Sequence, residues 1–398
     1  MANLTNTYSR LGRSAESRPL RDQLLEMQKR VLGAEHPNTL QTMTVLAQSY
    51  LNQGRHAEAA AVSAEVLEIR QRVLGAEHAE TLGTMRSLAQ IYREQGRQAE
   101  VVKLGAESLE IQRRVLGPTH LQTLTALQIL ARAQESTGNL VAAEALLREL
   151  QSLAPAHDSA RSMLGLVLVK QGKFAEAETL LRPIQVARDA KQPDLWTTFV
   201  TRFSLGGALA GLGRNAEAEP LLVSGYEGLL QRSATIPSVD QERVTEAFEQ
   251  LDHFYVKSDQ SGKAAELRQG RDAHKHVEAG RAFERRGEFA KAIAEYVEAT
   301  RLAPDLAAAW NGLAWTRATA PVAAVRDGAA AVIAARKACE LTGWKNVGHI
   351  DTLAAAHAEA GEFDSAVEFQ RKSLDLLAED HPQRNEWQDR LALYRDRG

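Results

Sequence analysis

Apolar and small residues recur along the first half of the chain with a fixed period of 42 residues. Each period holds a leucine, an alanine and a large residue at relative positions 0, 1 and 4, a glycine at 8 and a short side chain at 13. The three sets are Leu46, Ala47, Tyr50, Gly54 and Ala59; Leu88, Ala89, Tyr92, Gly96 and Val101; and Leu130, Ala131, Gln134, Gly138 and Ala143. The first three positions share a helical face, the glycine permits a left-handed turn, and the short side chain lets a second helix approach. The pattern predicts helical hairpins in tandem.

A second motif marks the junction between successive hairpins. It reads RVLGAEH at Arg30–His36 and Arg72–His78, and RVLGPTH at Arg114–His120. We expect the glycine, such as Gly33, to end one helix and the histidine to cap the next. Pro37 suits the first helical position, whereas the later copies lack a proline there and have a weaker start signal. The motif therefore predicts a hinge between hairpins.

The same pattern continues in the second half of the chain with a different period. In AGRAFERRGEFAKAIAEYVEATRLAP, six residues stand at offsets 0, 3, 12, 16, 19 and 24: Gly280, Phe283, Ala292, Tyr296, Ala299 and Pro304. These residues and spacings resemble the tetratricopeptide repeat. The 42-residue units resemble the repeat variant of kinesin light chains and their bacterial relatives. The C-terminal part is similar to the repeat tails of bacterial proteins, some of which carry a eukaryotic-like serine/threonine kinase domain.

The resemblance implies an all-α fold, a right-handed superhelical solenoid of stacked helical hairpins. The predicted parts are a truncated first hairpin at 1–29, three 42-residue repeats at 30–155, divergent hairpins at 156–272, C-terminal repeats at 273–380 with a widened loop near 318–328, and a capping helix at 381–398. The first hairpin is interpreted as truncated because Met1 aligns with Met43 and Met85, which lie in mid-helix. We therefore expect an upstream domain or self-association through this hairpin.

Composition and charge narrow the possible functions. Apolar residues make up 44 % of the 398 residues, which excludes a disordered chain. The net charge is −3 without a basic stripe, so we expect no nucleic-acid partner. The apolar runs are shorter than the ~20 residues that a membrane helix needs, so we expect no membrane association. Cys339 is the only cysteine, which favours a reducing, cytoplasmic location.

Several residues resemble catalytic or metal sites but are better explained by packing. Equivalent histidines such as His36 and His78 are two helices apart, roughly 16–20 Å, so they cannot share an ion whose bonds to nitrogen are ~2 Å. The stretch GGALAGLGR at 206–214 lacks the Lys-Ser or Lys-Thr of a phosphate-binding loop and places Gly213 at a predicted turn. Cys339 is interpreted as a small buried residue. We predict no enzyme, no metal and no cofactor.

The predicted binding surface is the concave face, which the first helices of such repeats line and where peptide partners dock. Positions that point inward without being packed carry polar side chains. The predicted peptide-binding residues are Thr44, Gln48, Asn52, Arg86, Gln90, Arg93, Gln128 and Arg132. Such side chains can bond an extended peptide backbone, and an arginine can hold a carboxylate through two hydrogen bonds. An ordinary solvated helix face is the alternative interpretation.

These observations predict a non-catalytic scaffold that binds protein or peptide segments. The alternative is the C-terminal regulatory or substrate-docking region of a bacterial serine/threonine protein kinase whose catalytic domain is absent from this chain. A third hypothesis, a helical-repeat protein that reads RNA, is disfavoured by the missing basic stripe.

Overall fold

The computed structural model of the chain describes residues 14–397, and the side chains of residues 23–397 except Val239. This part of the chain is all-α, as predicted, and contains no strand. Short 3-10 helices lie at Ser233–Thr235, Ser238–Asp240 and Ala323–Val325. The α-helices are α1 (Ser14–Val31), α2 (Pro37–Asn52), α3 (His56–Leu74), α4 (Ala79–Glu94), α5 (Gln98–Leu116), α6 (Leu121–Ser136), α7 (Leu140–Leu153), α8 (Asp158–Lys170), α9 (Phe174–Lys191), α10 (Trp196–Gly211), α11 (Asn215–Gln231), α12 (Glu242–Lys257), α13 (Ser261–Arg285), α14 (Phe289–Leu302), α15 (Ala307–Thr319), α16 (Gly328–Leu341), α17 (Val347–Glu359), α18 (Phe363–Leu376) and α19 (Arg384–Arg397). None of these described helices is both long and apolar enough to cross a membrane.

The chain divides into two compact units, Met1–Phe254 and Tyr255–Gly398, and the division falls within α12. The repeat pattern predicts a boundary between residues 272 and 273, a position that lies inside α13, a single helix of 25 residues. Helical periodicity continues through that position, so the pattern alone does not locate the division.

The first hairpin, at residues 1–29, lies only partly within the described residues. Its second helix corresponds to α1, in which Leu25 packs in one buried cluster with Leu40 and Met43 of α2. Met1, which is predicted to align with Met43, lies outside the described part of the chain.

The first unit contains hairpins packed on the predicted apolar positions. Leu88 and Ala89 of α4 and Val101 of α5 are all buried. Gly96 turns the chain between these two helices with a φ of +70°, a conformation that a residue with a side chain rarely adopts. The hairpin prediction is confirmed at the positions that carried it.

The junction between hairpins is built in the same way in all three copies of the repeated motif. In the second copy, the Nδ1 atom of His78 accepts a hydrogen bond from the backbone N–H of Glu80 at 3.2 Å. Thr81 donates its hydroxyl to the carbonyl of Gly75, which has a φ of +87°, at 2.8 Å. The equivalent residues are Gly33, His36 and Thr39, and Gly117, His120 and Thr123. The later copies are therefore capped like the first, because the cap depends on the histidine and not on the proline.

A single aromatic ring organises the start of the second unit. Tyr296 of α14 is 1 % exposed and lies between Gly280 of α13 and Gly312 of α15. A methyl group added to either glycine would stand 2.7 or 2.5 Å from the ring. The Tyr296 hydroxyl donates to the carboxylate of Glu284 at 2.9 Å. The ring thus joins three helices through a gap that only glycine leaves open.

Aromatic packing also closes the end of the second unit. Trp344 and His357 both stack on Phe369 of α18, with ring centroids 5.9 and 5.3 Å apart. In α19, Trp387 and Leu391 are buried in a cluster with residues at the end of α18. These apolar side chains of the last helix are therefore packed against α18.

Candidate functional site

A cleft of about 480 Å³ lies between α2 and α4 in the first unit. Four of the predicted binding residues line it: Thr44, Gln48, Arg86 and Gln90. Clefts that hold ligands usually have volumes of roughly 300–1,000 Å³. The Thr44 hydroxyl donates to a backbone carbonyl of its own helix at 2.9 Å, so the arginine and the two amides are the groups that can donate hydrogen bonds to a ligand.

Hydrogen bonds along the helices hold the amides of this cleft in place. Gln48 Nε2 donates to Asn52 Oδ1 at 3.0 Å, and Gln90 Nε2 donates to Glu94 Oε1 at 2.9 Å. Arg93 donates to Gln90 Oε1 at 2.6 Å. Each bond joins residues three or four positions apart, which share one side of a helix. The amides are therefore preorganised, and each retains further hydrogen-bonding capacity.

The connection between α11 and α12 lies against the carboxyl-terminal ends of α4 and α6. It has ten residues and is the longest connection between helices in the described part of the chain. The Ser238 hydroxyl donates to Glu94 at 2.6 Å, and the Asp240 carboxylate pairs with the guanidinium of Arg132. We call residues Ser233–Asp240 the tip, and the face formed by α2, α4, α6 and α8 the first-helix face.

The first turns of α12 are held by a buried network of charges, which we call the anchor. Arg243 donates to the two carboxylate oxygens of Glu135 at 2.5 and 3.0 Å, and both residues are 3 % exposed. Lys170 pairs with Glu135 and also with Glu246, the latter at 2.5 Å. Burial alone would raise the pKa of Glu135, but hydrogen bonds and charge from Arg243 and Lys170 lower that pKa to about 2. The carboxylate therefore stays ionised except in strong acid.

Of the predicted binding residues, Arg132 contacts the tip, and Arg93 lies close enough to repel the charge of Arg132. Burial lowers the pKa of both, and repulsion from Arg243 and Arg93 helps to lower the pKa of Arg132 to about 10. Both guanidinium groups remain charged at neutral pH. Partly dehydrated cations that repel one another favour a carboxylate partner. Asp240 of the same chain supplies one to Arg132.

The structure thus separates the predicted residues instead of gathering them in one site. Four of them line the cleft: Thr44, Gln48, Arg86 and Gln90. Arg132 contacts the tip, and Arg93 lies near Arg132. The remaining two are Asn52, which accepts a hydrogen bond from Gln48, and Gln128. Gln128 donates to the hydroxyl of Ser159 in α8 at 2.9 Å and is engaged between helices. Sequence reasoning missed the tip and the anchor. The sequence signals for the tip were the length of the connection between α11 and α12 and the presence of Asp240 in it. Asp240 has the charge opposite to that of Arg132, which was predicted to face inward.

Comparison with known proteins agrees with this architecture. A family model of the tetratricopeptide repeat matches residues 1–71, 45–113 and 102–156, and a second model of the same repeat matches residues 130–193. The chain is a tetratricopeptide repeat protein. No curated protein matches its sequence.

Solved structures similar to this tetratricopeptide repeat protein share little sequence with it. A crystal structure of a putative kinesin light chain with nearly identical TPR-like repeats from Podosopora anserina is 24 % identical to this chain. The match covers 51 % of this chain and 99 % of that chain, with a TM-score of 0.42. BtubC (BKLC) from P. vanneervenii is 16 % identical over 55 % of this chain and 92 % of that chain, with a TM-score of 0.43. A tetratricopeptide repeat protein from Parabacteroides merdae is 12 % identical over 89 % of this chain and 98 % of that chain, with a TM-score of 0.40. These similarities support no argument about function.

The other candidate sites in this tetratricopeptide repeat protein have packing roles. Cys339 is buried, and burial raises the pKa of its thiol to about 11, which disfavours the reactive thiolate at neutral pH. Gly213 has a φ of +76° and turns the chain between α10 and α11. A methyl group on Gly206 would stand 2.8 Å from Leu222, so this glycine permits close packing of the two helices.

Proposed function

We propose that the protein is a non-catalytic scaffold that binds an extended peptide segment of a protein partner on the first-helix face. The observation that carries this proposal is the tip. Ser238 and Asp240 lie against α4 and α6, where the sequence predicts peptide binding. Asp240 forms an ion pair with Arg132, which is one of the predicted binding residues. This face therefore already holds a stretch of polypeptide through polar side chains.

The cleft between α2 and α4 offers the groups that an external peptide needs. An extended backbone presents N–H and C=O groups along its length, which the amides of Gln48 and Gln90 can bond whatever the peptide sequence. Arg86 is exposed at the same cleft and can hold a carboxylate through two hydrogen bonds. The cleft thus combines general backbone recognition with a preference for an acidic side chain.

A peptide array tests the proposal directly. Extended peptides of acidic, neutral and basic composition are bound to the full chain, and affinities of selected peptides are measured by fluorescence anisotropy. We expect acidic peptides to bind with Kd values of about 1–100 μM, corresponding to roughly −8 to −5.5 kcal/mol. Arg86→Ala should weaken this binding by about tenfold, because a charge-assisted hydrogen bond is lost.

Arg114→Ala is the matched control. Arg114 lies in α5, is 67 % exposed and pairs with Glu77 outside the cleft, so its loss should leave peptide affinity unchanged. The proposal is wrong if no peptide binds the wild-type chain, or if the two arginine variants bind peptides equally well.

A further inference from the structure

Three residues at alternate positions of the tip are engaged with the rest of the first unit. Ile236 is 4 % exposed, Ser238 donates to Glu94, and Asp240, 6 % exposed, pairs with Arg132. The backbone at Ile236 is extended, with a φ of −75° and a ψ of 127°. The Ser238–Asp240 segment that follows is a short 3-10 helix, from which the tip presents a hydroxyl to α4 and a carboxylate to α6.

The tip is held by fewer contacts than the anchor that follows it. Thr235 and Pro237 are exposed, so opening the tip uncovers mainly Ile236 and separates the polar contacts of Ser238 and Asp240. Moving α12 would instead break the buried pair of Arg243 and Glu135 and also the pair of Lys170 and Glu246. The pair of Asp240 and Arg132 is largely buried as well, but it is one ion pair, whereas moving α12 separates two, so opening the tip costs less.

We propose that the tip is a resident ligand of the first-helix face, which an acidic peptide segment of a partner displaces from Arg132. The displacing segment carries a hydroxyl residue and a carboxylate in place of Ser238 and Asp240. This inference rests on the proposed function, because it requires that an external peptide binds the same face. It adds that the protein is closed at its α6 end before the partner arrives, so the cleft between α2 and α4 is where the partner first binds.

Tethering determines how strongly the tip competes with a partner. A linked segment acts at an effective concentration of about 1 mM when the linker is short. The apparent Kd of an external peptide equals its intrinsic Kd divided by the fraction of molecules in which the tip is open. If the tip is open in ~1 % of the molecules, the apparent Kd is therefore ~100-fold higher than the intrinsic Kd. Removing the Asp240 carboxylate weakens the tip but leaves Arg132 intact. An external carboxylate should then bind more tightly.

The probe for this competition is a fluorescent synthetic peptide, SATIPSVDQE, which copies residues 233–242. Anisotropy titrations compare wild type, Asp240→Asn and the control Asp305→Asn, which changes an exposed carboxyl group in the second unit. We expect the Asp240→Asn chain to bind the probe about tenfold more tightly than wild type, and the control to match wild type. A probe with asparagine in place of its aspartate should lose this gain.

Hydrogen exchange in the wild-type chain gives a second measurement that does not depend on a variant folding. A saturating concentration of the probe should speed exchange in residues 233–241 by about tenfold and leave residues 243–254 protected by the anchor. Unchanged exchange in 233–241 with the probe bound would overturn the inference. So would equal affinity of wild type and Asp240→Asn for the probe, although the proposed function would stand. Binding to none of the three proteins, together with a failed peptide array, would overturn both.

Discussion

The repeat junctions of the first unit and the core of the second unit hold their helices together by different interactions. Around Gly75, the contacts are polar: the His78 cap and the Thr81 hydroxyl within the junction, and an ion pair at 2.6 Å between Arg72 and Glu35 of the preceding junction. Around Tyr296, one buried ring fills the space beside two glycines and joins α13, α14 and α15. Both regions have the same hairpin architecture.

The difference determines how each region responds to the loss of one side chain. A polar contact contributes roughly 0.5–1.5 kcal/mol net, and water replaces much of it when the site is near the surface. A buried ring that is deleted leaves a cavity whose cost depends on how far its neighbours can collapse. The junctions should therefore tolerate single losses, whereas the second unit should depend on a few aromatic residues.

The largest effect is expected from Tyr296→Ala. It removes a fully buried ring and should lower the free energy of unfolding by about 3–5 kcal/mol, measured by urea denaturation. Tyr92→Ala in the first unit is the comparison, since this ring is only half-buried beneath the guanidinium of Arg97, at 4.2 Å. We expect its loss to cost about 1–2 kcal/mol. Similar losses at the two tyrosines would contradict the contrast between the units.

The anchor should make the first unit sensitive to acid. The pKa of Glu135 in the folded chain is about 2, below an unfolded value of about 4.3. Its stabilisation, about 3 kcal/mol, is therefore fully present above about pH 4.5 and is lost as the pH falls towards 2. Glu135→Gln should cost about 3 kcal/mol at pH 7, because it leaves Arg243 and Lys170 without their shared carboxylate.

Thermal melting between pH 6 and pH 2 measures this effect. The difference in stability between wild type and Glu135→Gln should shrink as the pH falls, whereas the exposed-site variant Glu107→Gln should follow wild type. A difference that is constant over this pH range would show that the ionised carboxylate is not what stabilises the anchor.

The smallest effects are expected at the junctions. His78→Ala removes a helix cap and should cost about 1 kcal/mol, since a side-chain cap satisfies a backbone N–H that otherwise lacks a partner. Arg72→Ala removes only an exposed ion pair and should cost less than ~0.5 kcal/mol. Urea denaturation of both variants checks this order. If Arg72→Ala lowered the free energy of unfolding more than His78→Ala, the ion pair between repeats, and not the helix cap, would be the main contact that stabilises the junction.

The hairpins could be predicted from the sequence because their contacts repeat at helical spacing. Leu88 and Ala89 share a helical face, and Gly96 follows at the position of the turn. The tip could not be predicted in this way. Glu135 and Arg243 are separated by 108 positions, and no local pattern encodes where a ten-residue connection folds.

The candidate site was predicted in part for the same reason. Helical position alone indicates that Arg132 faces inward, and the chemistry of arginine indicates a carboxylate partner. The identity of that partner depends on tertiary structure, which places Asp240 of the same chain beside it. A prediction that considers one helix at a time therefore identifies Arg132 as a binding residue but does not identify Asp240 as its partner.

The repeated junctions limit where the chain can gain a repeat by duplication. An additional 42-residue unit inserted at Gly33 would make the usual capping contacts at both ends and would lengthen the array on the side of the open cleft. The same insertion between Glu94 and Arg132 would separate the two side chains that Ser238 and Asp240 now reach together. New repeats can therefore be added on the amino-terminal side of Gly75 without disturbing the tip, whereas a repeat added between α4 and α6 would remove one of its contacts.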